Sequence, residues 1–186
     1  MANIGYPNKQ GLYDPAYEHD SCGVGFVVHI DGKQSHDVVV QGLTILSNLS
    51  HRGAQGADPK TGDGAGILIQ LPHEFFKAEL ALSGKEFPGP GSYAVGMVFF
   101  PPKAESAEFC RSVFERIASK EGFQVFAWRD VPVDNSHIGT TAKEVQPVVR
   151  QVFLLKPGSV SDQLDFERKL YILRRLVEKK VTVSSL

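Results

Sequence analysis

Cys22 opens the run Cys22-Gly23-Val24-Gly25-Phe26-Val27-Val28, behind a polar leader of 21 residues. A cysteine followed at once by Gly-Val-Gly and an apolar run suggests a nucleophile on close-packed backbone, because glycine leaves room for another molecule to approach. If the leader is removed, Cys22 carries both a thiol and a free α-amine. With ordinary pKa values near 8.5 and near 7.7–8.0 respectively, the two groups can exchange a proton at neutral pH. That is a nucleophile with its own base attached. A cysteine still joined to Ser21 by a peptide bond has no such base. The competing role, a small buried hydrophobe, is the commoner one for a lone cysteine.

The second chemically loaded segment is His51-Arg52-Gly53. The planar fork of Arg52 can fix a carboxylate or a backbone carbonyl. Its competing role is a solvated arginine near the negative end of a helix. Gly62-Asp63-Gly64-Ala65-Gly66 invites a dinucleotide reading, but G-x-G-x-x-G would need glycine at Ile67, and the glycines precede a predicted strand, not a helix. A tight turn entering a strand fits better. The chain has no P-loop motif. His19, His29, His36, His51, His73 and His137 form no metal-ligand pattern, and no metal site is expected. A distant histidine activating Cys22 or Cys110 stays open, with no spacing to choose a partner. Cys110 lies beside Phe109 and Val113, which favours core packing. Arg174-Arg175 and Lys179-Lys180 read as a solvated helix face.

These residues must be positioned by a chain of 186 residues, 42% of them hydrophobic and 22% charged, with net charge −1. One domain, or part of a larger one, is the default. The charge balance argues against nucleic acid or an anionic membrane surface as partner. Two cysteines make no disulfide framework. No apolar run approaches the ~18 residues needed to cross a bilayer, and the N-terminus has no secretory h-region. A cytoplasmic protein with reduced thiols is expected.

Residues 1–21 read as an irregular leader and 22–30 as a strand, with a turn at Asp31-Gly32. Positions 37–50 predict a helix with Val39, Leu43, Leu46 and Ser50 on one face and Ile45 and Leu49 beside it, ended by Gly53. The Val38-Val39-Val40 triplet favours a strand instead. Strands are predicted at 67–71, 93–100, 123–128 and 148–155. Helices are predicted at 72–82, around Phe109, Val113 and Ile117 up to Gly122, and at 162–179 with Leu170, Leu173 and Val177 inward. Val181-Thr182-Val183 reads as the start of a further strand, so a piece of a larger domain is expected. The irregular crossovers indicate an α+β or α/β layered fold with mixed or antiparallel sheets.

Three segments together, LYDPAYEHDSCGVGFVV (12–28), LSHRGAQGAD (49–58) and TGDGAGILIQLP (61–72), resemble the N-terminal glutaminase domain of glutamate synthase large subunits. That domain is one of the class II, N-terminal-nucleophile glutamine amidotransferases. VQPVVRQVFLLKPG (145–158) and the helix FERKLYILRRLVEK also fit, so the resemblance covers nearly the whole chain.

The resemblance implies an α+β fold, the αββα sandwich of N-terminal-nucleophile hydrolases, here in part. Residues 1–21 would be a propeptide and 22–186 the N-terminal part of the amidotransferase domain. Cys22, freed from Ser21, would attack the side-chain amide of glutamine, with its α-amine as base. Arg52 would support it. Ammonia would pass to the synthase region of the same enzyme to aminate 2-oxoglutarate. No cofactor is expected in this chain. The complete enzyme would use FMN and an iron–sulfur cluster, with a small electron-donating subunit as a further partner. The family's Asn-Gly oxyanion pair has no match here, since the sequence contains no Asn-Gly dipeptide. Removing one oxyanion donor typically costs ~10²–10³ in turnover. Two alternatives remain: a non-catalytic remnant or binding module, and an amidotransferase or amide hydrolase of the same fold serving another acceptor.

Overall fold

A computed structural model describes residues 9–12, 14, 23–54, 58, 60–81 and 86–184. The chain divides into two compact units. One comprises Met1–Gln70 with Ile138–Thr141, and the other Leu71–His137 with Ala142–Leu186.

The second unit is built on a three-stranded antiparallel sheet of β1 (Tyr93–Phe100), β2 (Gln124–Asp130) and β3 (Val148–Leu155), in the order β1-β3-β2. β3 is central and reads as a continuous apolar run at its buried end, Val152-Phe153-Leu154, because both faces of the sheet are covered. On one face, Val152 and Leu154 join Phe166, Leu173, Ala118 and Phe123 in a core completed by α3 (Ala104–Lys120) and α5 (Gln163–Ser184). On the other, Phe153 and Tyr93 pack with Phe76 of α2 (His73–Leu80). The ladder slips between Val125 and Ala127. This bulge turns both Phe126 and Ala127 toward the α2 face while Val125 and Trp128 serve the other core.

Local signals explain the helix ends. At the end of α3, Gly122 has φ +84°. Its N–H donates to Ser119 O at 3.1 Å, and Phe123 N–H donates to Ala118 O at 2.8 Å. This is the paired closing pattern that glycine permits. Arg129 of β2 ties α2 to the sheet: its Nε donates to Glu79 Oε2 at 2.9 Å and its Nη1 to Gln151 Oε1 at 3.1 Å. The short helix α4 (Thr140–Glu144) was not expected from the sequence.

The predicted strands 93–100 and 148–155 are reproduced residue for residue, and α5 buries Leu173 with Leu170 and Val177 packed beside it. Other expectations are corrected. Val181 and Thr182 continue α5 instead of starting a strand, and the Thr182 hydroxyl donates to Glu178 O at 2.9 Å. On α3 the inward positions are Ala107, Val113 and Ala118, and Phe109 points outward. Residues 23–30 and 67–71 form no ladder among the described residues. Their composition favours a strand, but a strand exists only where backbone groups find a partner.

Candidate active site

The first unit is organised by α1 (His36–Asn48). Ser35 caps it, its hydroxyl accepting from Val38 N–H at 3.4 Å, and Asp37 lies in the positive first turn. The helix wins over the β-branched triplet. Its half-buried stripe is Val38, Val39, Gly42, Ile45, Leu46 and Leu49, while Leu43, expected inward, faces out.

Against that stripe run the glycines of the Cys-Gly-Val-Gly motif. A Cβ on Gly23 would lie 3.0 Å from Leu49 Cδ2, and one on Gly25 would lie 2.5 Å from Ile45 Cγ2. Only glycine allows this approach at position 25. Cys22 itself lies outside the described residues, as does the 1–21 boundary. The turn after the motif forms as expected: Gly32, φ +66°, donates its N–H to His29 O at 2.9 Å.

Arg52 closes the other end of α1. Leu49 N–H donates to Ile45 O at 3.0 Å, Arg52 N–H to Leu49 O at 2.9 Å and Gly53 N–H to Ser50 O at 3.3 Å. These bonds make Ser50–Arg52 a single 3₁₀ turn. Arg52 is half-buried there, and among the described residues its guanidinium has no ion-pair partner. Leu49, which meets Gly23, is also the residue from which this turn springs.

The segment after Arg52 is fastened at two points. Ala54 N–H donates to Asp63 Oδ2 at 2.9 Å, and Asp63 N–H donates to Ala54 O at 3.0 Å. Further on, Asp58 accepts from Lys60 N–H at 3.0 Å and from the Thr61 hydroxyl at 3.0 Å, and Gly139 N–H donates to Lys60 O at 2.9 Å. The Lys60 N–H, the Thr61 hydroxyl and the N–H groups of Thr140 and Thr141 together hold the Asp58 carboxyl below the usual carboxylate range. A Cβ on Gly139 would fall within the space of the Asp58 carboxylate and the Thr61 hydroxyl.

Sequence reasoning separated Arg52 from Asp63 and passed over Asp58 and Gly139. For Asp63 a signal was present: a lone aspartate between glycines is a short acceptor in a turn-forming segment. Cys110 is half-buried on α3, in the other unit. Among the described residues no three His, Cys, Asp or Glu side chains gather as metal ligands, and no helix is long and apolar enough to cross a membrane.

The class-II glutamine amidotransferase family model matches residues 22–185. The chain is 46% identical over 172 residues to a Bacillus subtilis glutamate synthase [NADPH] large chain, covering 92% of this chain and 11% of that one. It is 42% identical over 174 residues to a Schizosaccharomyces pombe glutamate synthase [NADH], 91% of this chain and 8% of that one. It is 38% identical over 184 residues to an Arabidopsis thaliana ferredoxin-dependent glutamate synthase 1, chloroplastic/mitochondrial, 96% of this chain and 11% of that one. The chain thus spans about a tenth of the length of these relatives. With the family match covering all but residues 1–21 and the last residue, the chain belongs to the class-II glutamine amidotransferases.

Proposed function

We propose that this chain provides the glutamine-hydrolysing part of a glutamate synthase, with Cys22 as nucleophile and Arg52 supporting it. The observation that carries the reading is that the family match begins at residue 22, the position of Cys22. The glycine packing supports it: Gly23 is pressed against Leu49, the residue from which the Arg52 turn springs. Residues 1–21 are then a leader whose removal frees the Cys22 α-amine.

The chemistry balances with water as the only further reactant. The α-amine, through a water, takes the thiol proton, and the thiolate forms a bond to the amide carbon of glutamine. The C–N bond breaks as ammonia leaves with a returned proton. Water then hydrolyses the γ-glutamyl thioester, releasing glutamate and restoring the thiol. The guanidinium of Arg52 favours the thiolate and a fixed nucleophile geometry. Ammonia is carried to a synthase region, where it aminates 2-oxoglutarate.

The relatives' names include NADPH, NADH and ferredoxin, which bespeaks an electron-transfer region in those proteins. An iron–sulfur cluster takes about four thiolates, and this chain has two cysteines in all. The residues present therefore do not fit that group, and FMN and the cluster are assigned to other parts of the enzyme. The two-sheet αββα sandwich is part of the same reading. It is supported by family membership and by Val24, Phe26, Val28 and Ile30, which alternate as a strand does and are all exposed.

The test is ammonia release. Because the chain spans a tenth of its relatives, residues 1–186 are best assayed both alone and in place of the matching segment of the Bacillus subtilis relative. The chimera should release ammonia from glutamine, hardly at all from asparagine, and lose this with Cys22→Ala. Intact mass should show cleavage between Ser21 and Cys22. A chimera that folds and releases no ammonia from glutamine sinks the proposal.

A further inference from the structure

We propose that Asp63 is the positioning residue for Arg52, acting through Ala54. This rests on the reading that Arg52 supports Cys22. Arg52 is carried by one 3₁₀ turn, a geometry with poor hydrogen bonds, and Gly53 follows it with no side chain to restrain the backbone. On its N-terminal side the turn is anchored by α1, through Leu49. On its C-terminal side the anchor is Asp63. One residue meets one residue twice: the Asp63 carboxylate accepts from the Ala54 N–H at 2.9 Å, and the Asp63 N–H returns a bond to the Ala54 carbonyl at 3.0 Å. Both polar backbone groups of Ala54, two residues from Arg52, are satisfied by the same partner. The first of these bonds ends on an ionised oxygen, which makes it the stronger kind.

Asp63 lies among glycines. Gly64 and Gly66 have no neighbour within 4 Å of a built Cβ, so they are not there for close packing. Neither has a positive φ, so what joins the two segments is the Asp63–Ala54 pair itself. The H-R-G segment and the T-G-D-G-A-G segment are therefore one structural device. Asp63 itself need not touch the substrate.

The experiment measures alkylation of Cys22 by iodoacetamide as a function of pH in the 186-residue chain, followed by peptide mass mapping, with Cys110 in the other unit as internal reference. A nearby guanidinium lowers a thiol pKa, so displacing it moves the profile toward alkaline pH, on the order of one pH unit. Arg52→Gln should produce that shift. Asp63→Ala and Ala54→Pro, which delete the acceptor and the donor of the same bond, should reproduce it with Cys110 unchanged. Asp63→Asn keeps an acceptor oxygen and should restore the wild-type profile. If Arg52→Gln shifts the profile and both Asp63→Ala and Ala54→Pro follow wild type, the positioning role is wrong while the functional reading stands. If Arg52→Gln itself leaves Cys22 unchanged, the support given by Arg52 fails, and the role of Asp63 with it.

Discussion

Gly25 lies so close to Ile45 that an added Cβ would sit 2.5 Å from Ile45 Cγ2. The atom it would meet is a branch methyl on a stiff χ1, not the far end of a flexible chain. The contact presses the segment after Cys22 onto α1, the helix that leads into the Arg52 turn. Overpacking of this kind typically costs 1–3 kcal/mol. Gly25→Ala should therefore destabilise the first unit by about 1–3 kcal/mol. Gly64→Ala, with open space around it and no positive φ, is the matched control and should be near neutral. Amide exchange at α1 distinguishes the two, and equal protection in both variants would refute the contact.

The second unit should respond to its own core. Leu173 is 2% exposed between α5 and the sheet, whereas Tyr171 on the same helix is 62% exposed. Leu173→Ala is expected to cost about 2–5 kcal/mol in urea unfolding, and Tyr171→Ala less than about 0.5. The chain has one tryptophan, Trp128, whose indole N–H donates to Glu115 Oε1 at 2.8 Å. Its fluorescence therefore reports on this unit.

Asp58 sets an acid limit on the 58–61 and 138–141 junction. Its pKa is lowered in the fold, chiefly by the Lys60 N–H and then by the Thr61 hydroxyl. A depressed carboxylate contributes stability that is fully present above its unfolded value, and that contribution is lost as pH falls through the lower folded value. The junction should hold unchanged from neutral pH down to about the ordinary aspartate value, ~3.9, and loosen below it. Asp58→Asn should remove that acid step. The readout is the pH dependence of exchange at the Gly139 amide, and a step that persists in Asp58→Asn would show that another group carries it.

Much of this molecule could be read from its residues. β1 was legible because a continuous apolar run between Gly91 and Pro101 leaves little choice, and β3 because Val148-Val149 and Val152–Leu155 lie between Pro147 and Pro157. The α5 face was legible because Leu170, Leu173 and Val177 keep the helical period. Residues 67–71 were misread because their strand signal is local while a ladder needs a partner elsewhere. Val181 and Thr182 were misread because two β-branched residues weigh less than the helix that precedes them. At the candidate site, Cys22 and Arg52 are proposed from side-chain chemistry and the resemblance. Asp58 and Gly139 could not be read in this way, because they meet only where two segments far apart in sequence come together.

The most direct test of the central claim is where a glutamine analogue bearing a diazoketone in place of its carboxamide becomes attached. It is applied to the chimera of residues 1–186 in the Bacillus subtilis relative, with adducts located by peptide mass mapping. The account predicts one adduct per chain, on Cys22, formed in step with loss of ammonia release from glutamine and absent in Cys22→Ala. Complete inactivation with Cys22 unmodified would contradict it.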